Sequence, residues 1–471
     1  MSTAVAAPNL SRTEPRLAGL RALVVGLGRS GLAATRILAS RGAKVTAADR
    51  RTEAELGQAA AGAIALGAAV VAGGHPPALA RDADLIVVSP GVPTGDPLLA
   101  AAREAGVPVW GEVELAYRFC RGRIVAVTGS NGKSTTTSMI GAILRQSGIP
   151  GGTGGNLGTP FADLLSLDSP QAVHALELSS FQLETIDAFR PDVAVVLNLS
   201  PDHLDRYPSY DAYVAAKARL LEAQNAAGCA VLNGDDPETV RLLPSVRGRL
   251  LRFTTREDLA DGAFLRHGTL VLRLEGREQE ILPASALRVP GEHNTANALA
   301  AALACGLEGC RPEAIARALR AFVALPHRLQ HVGTLDGVQF YDDSKATNLD
   351  AAGRALLAFP AGTVLLILGG KDKGGDWPAL APAVRERARC VLLVGQAARA
   401  IRAGLAGTVP LVDCRTVMTA VRAAYERARP GDVVLLAPGC ASFDQYRNFE
   451  ERGDDFRRSV EGLLPGGGRY A

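Results

Sequence analysis

Short apolar blocks alternate with stretches of helical spacing along the chain, and the alternation begins three times. In the first third, residues 22–26 predict a strand, 31–40 a helix, 44–48 a second strand and 85–88 a later one. A basic, loop-like stretch at 118–123 precedes a fresh strand at 124–127, which opens a second unit of the same kind. That unit has further strands at 172–178 and 193–199, the second ending at a turn around Pro201. Residues 270–276 alternate apolar and polar positions as a half-exposed strand does, predicting a small antiparallel patch in a mostly parallel domain. From Thr363 the pattern starts again, with strands at 364–368, 391–394 and 433–437 and helices at 377–389 and 416–429. Strands separated by helices imply parallel sheets, so the fold class is α/β. The 471 residues, at roughly 150 per domain, predict about three domains. Their expected spans are 1–122, 123–325 and 326–471.

Composition narrows the classes. Hydrophobic residues make up 47% and charged ones 21% of the chain, as in globular proteins. The mean hydropathy of +0.11 owes much to alanine. No run reaches the roughly 18 apolar residues of a spanning helix, so no membrane partner is expected. The richest stretch, 296–307, reads as a buried helix. Fifty-one basic against forty-eight acidic residues argue against nucleic-acid binding, which needs many uncompensated phosphate contacts. Seven scattered cysteines without a CxxC pair indicate neither a disulfide framework nor zinc. They predict small buried hydrophobes in a reducing compartment. Residues 1–15 lack the apolar core of a secretory signal and read as a frayed leader on a cytoplasmic protein. A monomer is expected.

Two loops change the picture. The first, Gly26-Leu27-Gly28-Arg29-Ser30-Gly31, lies between a strand and a helix, with Asp49 ending the next strand. Glycines there let backbone approach a diphosphate whose charge the helix N-terminus favours, and an acid so placed usually bonds a ribose. On its own the motif fits an NAD-dependent dehydrogenase, or a tight turn without ligand. The second, Thr128-Gly129-Ser130-Asn131-Gly132-Lys133-Ser134-Thr135, is again between strand and helix. Val127 stands where a P-loop has its first glycine, so this is a variant of that loop. Its N–H groups suit phosphate, Lys133 a terminal phosphoryl group and Ser134 Mg²⁺, which points to ATP. A dehydrogenase has no use for the second loop, and a simple kinase none for the first. Together they predict a nucleotide-tagged substrate that meets ATP.

Further motifs occur in order: residues 177–182 (Glu-Leu-Ser-Ser-Phe-Gln), 198–206 (Asn-Leu-Ser-Pro-Asp-His-Leu-Asp-Arg), 291–297 (Gly-Glu-His-Asn-Thr-Ala-Asn) and 326–328 (Pro-His-Arg). With 128–135 they resemble the motifs of the Mur ligases. Residues 342–348 and 440–449 resemble the branch of that family that adds D-glutamate. The resemblance spans about residues 20–463. It implies a Rossmann-like N-terminal domain for the UDP substrate, a central P-loop-type ATPase domain and a Rossmann-like C-terminal domain for the amino acid. The implied activity is ATP-dependent joining of D-glutamate to UDP-N-acetylmuramoyl-L-alanine through an acyl phosphate, in peptidoglycan precursor synthesis, with no NAD.

The resemblance also implies roles. Lys133, Glu177, His203 and Lys217 would be catalytic. Ser134 and Glu177 would hold one Mg²⁺, His203 and a carbamylated Lys217 a second. Gly129, Ser130, Asn131, Gly132, Lys133, Ser134, Thr135, Asn294, Asn297, Arg328 and Asp343 would contact ATP. Gly28, Arg29, Ser30, Asp49, Arg50, Arg51, Ser89 and Gly91 match uridine and diphosphate contacts, and Asn156 and Gln182 would meet the sugar or alanyl end. Lys345, Thr347, Lys373, Ser442, Phe443 and Phe449 match a D-glutamate pocket, where two lysines suit two carboxylates. From the residues alone, Lys217 is an ordinary helical lysine, Asn294 a helix cap or a ligand contact, and Phe443 and Phe449 equally core residues.

Overall fold

The computed structural model describes residues 14–156, 158–204, 206–372 and 374–463. Lys373, most of the leader and the glycine-rich 466–468 lie outside the described residues. The described residues form three sheets, with strands numbered here in chain order.

The first holds β1 (Arg21–Val25), β2 (Lys44–Asp49), β3 (Ala69–Ala72), β4 (Leu85–Val88) and β5 (Val109–Gly111) in the order β3-β2-β1-β4-β5, all parallel. The second holds β6 (Arg123–Thr128), β7 (Thr153–Gly155), β8 (Val173–Glu177), β9 (Val193–Val196), β10 (Cys229–Asn233), β11 (Arg249–Thr254), β12 (Gly262–Arg266), β13 (Thr269–Leu274) and β14 (Arg277–Pro283). Its order is β14-β13-β12-β11-β10-β9-β6-β8-β7, with the expected antiparallel patch at β12, β13 and β14. The third holds β15 (Gln330–Leu335), β16 (Val338–Asp342), β17 (Val364–Gly369), β18 (Ala388–Val394), β19 (Leu411–Arg415) and β20 (Val433–Leu436), ordered β15-β16-β20-β17-β18-β19 with only β15 antiparallel.

Central strands such as β4, β8, β9, β17 and β20 are buried along their whole length, because helices cover both faces of a parallel sheet. The helix Glu292–Leu307 contains the expected buried stretch: Ala298 to Cys305 are at most 1% exposed. Several boundaries differ from expectation, among them the following. The stretch 118–123 is loop only to Gly122, since β6 starts at Arg123. The helix expected to 389 ends at Arg387, where Ala388 turns extended and starts β18. The helix expected at 416–429 runs Val417–Tyr425, capped by Thr416.

The chain packs into two compact units. The first takes the described residues to Pro201 with Arg206–Ala284 and Ala296–Arg320; the second takes Asp202 to Leu204, Ser285–Thr295 and residues from Ala321 on. The first two sheets share one unit because their helices share one apolar core, including Leu38, Tyr117, Phe161, Leu176, Phe189 and Val196. Each large side chain so buried stabilises by about 1.5–3 kcal/mol. All seven cysteines are free thiols, six of them buried. No helix among the described residues is long and apolar enough to cross a membrane.

Candidate active site

Parallel sheets gather ligand loops at the carboxyl ends of their strands, and the first loop sits where β1 runs into the helix Arg29–Ser40. Two glycines permit its shape. Gly26 has φ +89°, and a Cβ on Gly31 would lie 1.9 Å from the Gly26 carbonyl oxygen. The Ser89 hydroxyl donates to that same carbonyl at 2.7 Å. Asp49, at the end of β2, holds the loop from below: its carboxylate accepts from Leu27 N at 2.7 Å, from Arg51 N at 2.9 Å, and from Arg51 Nε and Nη2 at 3.0 and 2.9 Å. The Arg51 bond, with the backbone bonds, outweighs burial and holds the Asp49 carboxyl far below the usual range. A ribose reaching Asp49 would therefore share oxygens already holding four N–H groups.

Above this loop lies a cavity of about 350 Å³ lined by Gly28, Arg29, Ser30, Asp49, Arg50, Ser89 and Gly91, as well as by Gly26, His75, Pro90, Val92 and Pro93. It gathers seven of the ten residues assigned to the UDP substrate. Arg51 is turned onto Asp49 instead. Arg29 also reaches the Gly158 carbonyl at 3.1 Å. Asn156 and Gln182 do not line the cavity: Asn156 donates to Glu177 Oε1 at 2.7 Å, and Gln182 Oε1 accepts from Ser179 N at 3.0 Å in a capping box.

The second loop follows β6. Gly132 caps the helix Lys133–Gln146 with φ +83°, and a Cβ there would come within 2.4 Å of Asn297 Oδ1, so a glycine is needed where Asn297 meets the loop. Asn198 pins the loop's outer edge, accepting from Asn131 N at 2.8 Å and donating to the Asn131 carbonyl at 3.0 Å. Lys133 Nζ donates to the Gly129 and Ser130 carbonyls, both at 2.8 Å. Lys217, 1% exposed on the helix Tyr210–Glu222, donates to the same Gly129 carbonyl at 2.9 Å. Its ammonium lies 4.6 Å from the centre of the Tyr213 ring, whose hydroxyl is 3.0 Å from Ser130 Oγ. Ser134, on the first turn, donates to Glu177 Oε2 at the end of β8. Thr135 is half-buried beside it. Lys133, Ser134, Glu177, Asn156 and Lys217 are thus gathered around one loop.

The remaining residues belong to the second unit. His203, in the left-handed region at φ +55°, is 3.7 Å from Asp202, which accepts from Asn348 at 3.1 Å. Asn294 donates to the Pro290 carbonyl at 2.6 Å, tying down the loop before its helix. Arg328 stands between His327 and Leu329, at φ +59° and +45°. Such paired strain persists only where surrounding contacts impose it. Here the buried His327 ring meets Asp342 at 2.7 Å, and Leu329 N donates to Asp343 at 3.1 Å. Burial pushes the Asp343 carboxyl up to about 7, against the pull of Leu329 N–H and Arg328. Its side is open in part, which suits a ligand-facing acid. Lys345 lies 4.1 Å from the centre of the Phe449 ring, and Thr347 is half-buried next to it. Ser442 is buried, and Phe443 is 67% exposed, so it is no core residue. Phe449 is half-buried at the start of the helix Phe449–Glu461.

Family models match in three consecutive stretches: the Mur ligase MurD-like N-terminal domain over residues 20–111, the Mur ligase middle domain over 127–305, and the Mur ligase glutamate ligase domain over 327–440. The UDP-N-acetylmuramoylalanine–D-glutamate ligase of Acidobacterium capsulatum is 47% identical over 446 residues, 94% of this chain and 96% of that one. The chain belongs to the Mur ligase family. Another relative of the same description, from Solibacter usitatus, is 46% identical over 450 residues, 96% of this chain and 99% of its own. Among solved Mur ligases, the UDP-N-acetylmuramate-alanine ligase MurC of Thermotoga maritima covers 94% of this chain and 100% of its own, with TM-score 0.59 at 19% identity. The MurF ligase of Thermotoga maritima, solved with ADP, covers 98% and 100% with TM-score 0.59 at 16% identity. The three-domain Mur ligase fold is therefore that of this chain.

Some residues that shape these loops and motifs had no role assigned from the sequence. Arg452, 1% exposed, donates to Ser344 Oγ at 2.9 Å, the Ser344 carbonyl at 2.8 Å and the Cys440 carbonyl at 3.1 Å. Burial lowers its guanidinium to about 10. It joins the two motifs of the D-glutamate type. The available signal was an arginine in register with Phe456 and Val460 on one helix stripe. Asn198 sat inside a motif without a role, and His75 lay in no motif.

Proposed function

We infer that this Mur ligase joins D-glutamate to UDP-N-acetylmuramoyl-L-alanine at the expense of ATP, releasing ADP and phosphate for peptidoglycan precursor synthesis. The observation that carries this is a nucleotide-sized cavity on one glycine loop and a lysine-bearing phosphate loop on another, in one compact unit. The names of the relatives supply the amino acid. An oxygen of the alanyl carboxylate attacks the γ-phosphorus, and the bond to the bridging oxygen breaks with its electron pair going to ADP. The amine nitrogen of D-glutamate then attacks the acyl carbon, the carbon–oxygen bond to phosphate breaks, and the nitrogen's surplus protons leave to water and phosphate.

The chain's residues supply positioning and charge, the main needs of phosphoryl transfer. Residues 129–135 cradle the phosphates, Lys133 moves from the loop carbonyls to the γ-phosphate, and Asn294, Asn297, Arg328 and Asp343 complete the ATP site. The touching Ser134 hydroxyl and Glu177 carboxylate are hard oxygen donors that fit Mg²⁺. The ion supplies neutralisation of phosphoryl charge when bound. His203 and Lys217 would hold a second. Two ammonium groups on one Gly129 oxygen repel, and carbamylation of Lys217 turns that repulsion into attraction. Gly28, Arg29, Ser30, Asp49, Arg50, Arg51, Ser89 and Gly91 take the UDP end, Asn156 and Gln182 the sugar or alanyl end, and Lys345, Thr347, Lys373, Ser442, Phe443 and Phe449 the D-glutamate. Domain boundaries fall near 122 and 325, between the last strand of one sheet and the first of the next. We place the enzyme in the cytoplasm, where ATP is available, as a monomer.

The test is the amino-acid dependence of phosphate release from ATP, Mg²⁺ and the muramoyl-alanine nucleotide. D-Glutamate should support release; release with another amino acid and none with D-glutamate overturns the specificity.

A further inference from the structure

His75 lines the first cavity yet belongs to no motif. Its side chain is 5% exposed, and its Nδ1 lies 3.0 Å from Asp96 Oδ2. Asp96, 1% exposed, also accepts from Leu98 N at 3.0 Å and from Arg50 Nη2 at 2.7 Å. Burial would raise the Asp96 carboxyl, but the bonds from His75 and Leu98, with Arg50, hold it below the usual range. An ionised carboxylate only accepts, so Nδ1 must carry the proton. In the neutral ring Nε2 then presents a lone pair. That atom is buried and has no hydrogen-bond partner among the described residues, a costly arrangement that a bound ligand would relieve.

The neighbours narrow the ligand group. As an acceptor, Nε2 suits an N–H group of the ligand rather than a phosphate oxygen. Pro90, Val92 and Pro93 give the cavity apolar surface suited to a flat ring. Arg50 and His75 meet on one oxygen of Asp96 and both line the cavity, so its wall offers guanidinium donors as well as the Nε2 acceptor. Donors together with an acceptor match the edge of uracil, where a carbonyl stands next to the N3–H. Cytosine has a lone pair at N3 and would oppose that of Nε2.

We propose that His75 Nε2 accepts a hydrogen bond from the N3–H of the uracil ring, and that the Asp96–His75 pair selects uridine over cytidine nucleotides. This rests on the reading of the cavity as the UDP site. A site built to pair a buried polar group rejects a ligand that leaves it unpaired.

The test titrates UDP, CDP, 3-methyl-UDP and 2′-deoxy-UDP into the full chain by calorimetry. UDP should bind at least about tenfold tighter than CDP or 3-methyl-UDP, and 2′-deoxy-UDP within about threefold of UDP. His75→Asn keeps a donor for Asp96 but removes the Nε2 acceptor; in it UDP, CDP and 3-methyl-UDP should converge. His75→Gln, whose amide oxygen reaches the Nε2 position, should restore the preference. Equal binding of UDP and 3-methyl-UDP by the unaltered protein overturns the proposal without needing any variant, as does an undiminished preference in His75→Asn. A loss confined to 2′-deoxy-UDP moves the contact to the ribose and also overturns it. Failure of UDP to bind at all, with ATP still bound, defeats the reading of the cavity itself.

Discussion

The two glycine loops of the first unit are built alike, each between a parallel strand and a helix, and held in opposite ways. At the first, an acid anchors the loop: Asp49 takes four N–H groups and leaves a formed cavity above. At the second, two lysines rest on the loop's own carbonyls, and Lys133, in the role proposed for it, would let go of them to meet a phosphate. A tag that is carried through the reaction unchanged needs only a rigid seat. A phosphoryl group that changes bonds needs mobile positive charge that follows it.

The largest test of this contrast is Lys133→Ala. Phosphate release should fall by at least about 10²–10³-fold, the cost of losing one stabilising group on a developing charge, while UDP affinity stays unchanged in titration. Equal loss of both would break the contrast. Lys217→Ala should also abolish turnover, and millimolar formate should return part of it by supplying an anionic oxygen. Full activity without formate rejects the role given to Lys217. Asp49→Ala should act on the other loop alone, raising KM for the UDP substrate by about 10–100-fold, the effect of freeing several buried donors, with ATP binding intact.

The smallest effect concerns what lies between the loops. Glu112 starts the helix Glu112–Tyr117 after the first sheet and accepts from Ala162 N at 2.6 Å in the second domain. Burial pushes its carboxyl up to about 7 from the ordinary 4.5. The folded acid stays protonated while the unfolded one ionises, so stability is lost as pH rises from about 4.5 to 7. Glu112→Gln should remove that slope, raising the melting temperature at pH 8 by a few degrees, about 2–4, relative to pH 5. Identical slopes in both proteins would show that Glu112 is not the acid that titrates over this range.

Both loops were legible in the sequence because the strands feeding them are buried on both faces and read as unbroken apolar blocks. Edge strands were not: β3 is nowhere buried, and β19 has one buried residue of five. Lys133, Ser134 and Glu177 stood out by motif, whereas the contact of Ser134 with Glu177 spans 43 positions and only pairing of β6 with β8 creates it. Asp49 was read as a ribose ligand from its place at a strand end; that its oxygens hold Arg51 and Leu27 depends on a turn the motif does not encode. His75 and Arg452 were invisible for the same reason, since each acts through partners far along the chain.

Arg452 carries a consequence for how this enzyme tolerates change. One guanidinium bonds the backbone at Ser344 and at Cys440, adding a buried fastening to the bond from the Ser344 hydroxyl to the Phe449 carbonyl that also joins the two D-glutamate-type segments. Substitutions in the two segments will then not add: a change that loosens one leaves less for a change in the other to lose, and their coupling should weaken once Arg452 is replaced. Redesign of amino-acid preference has to treat these segments as one piece.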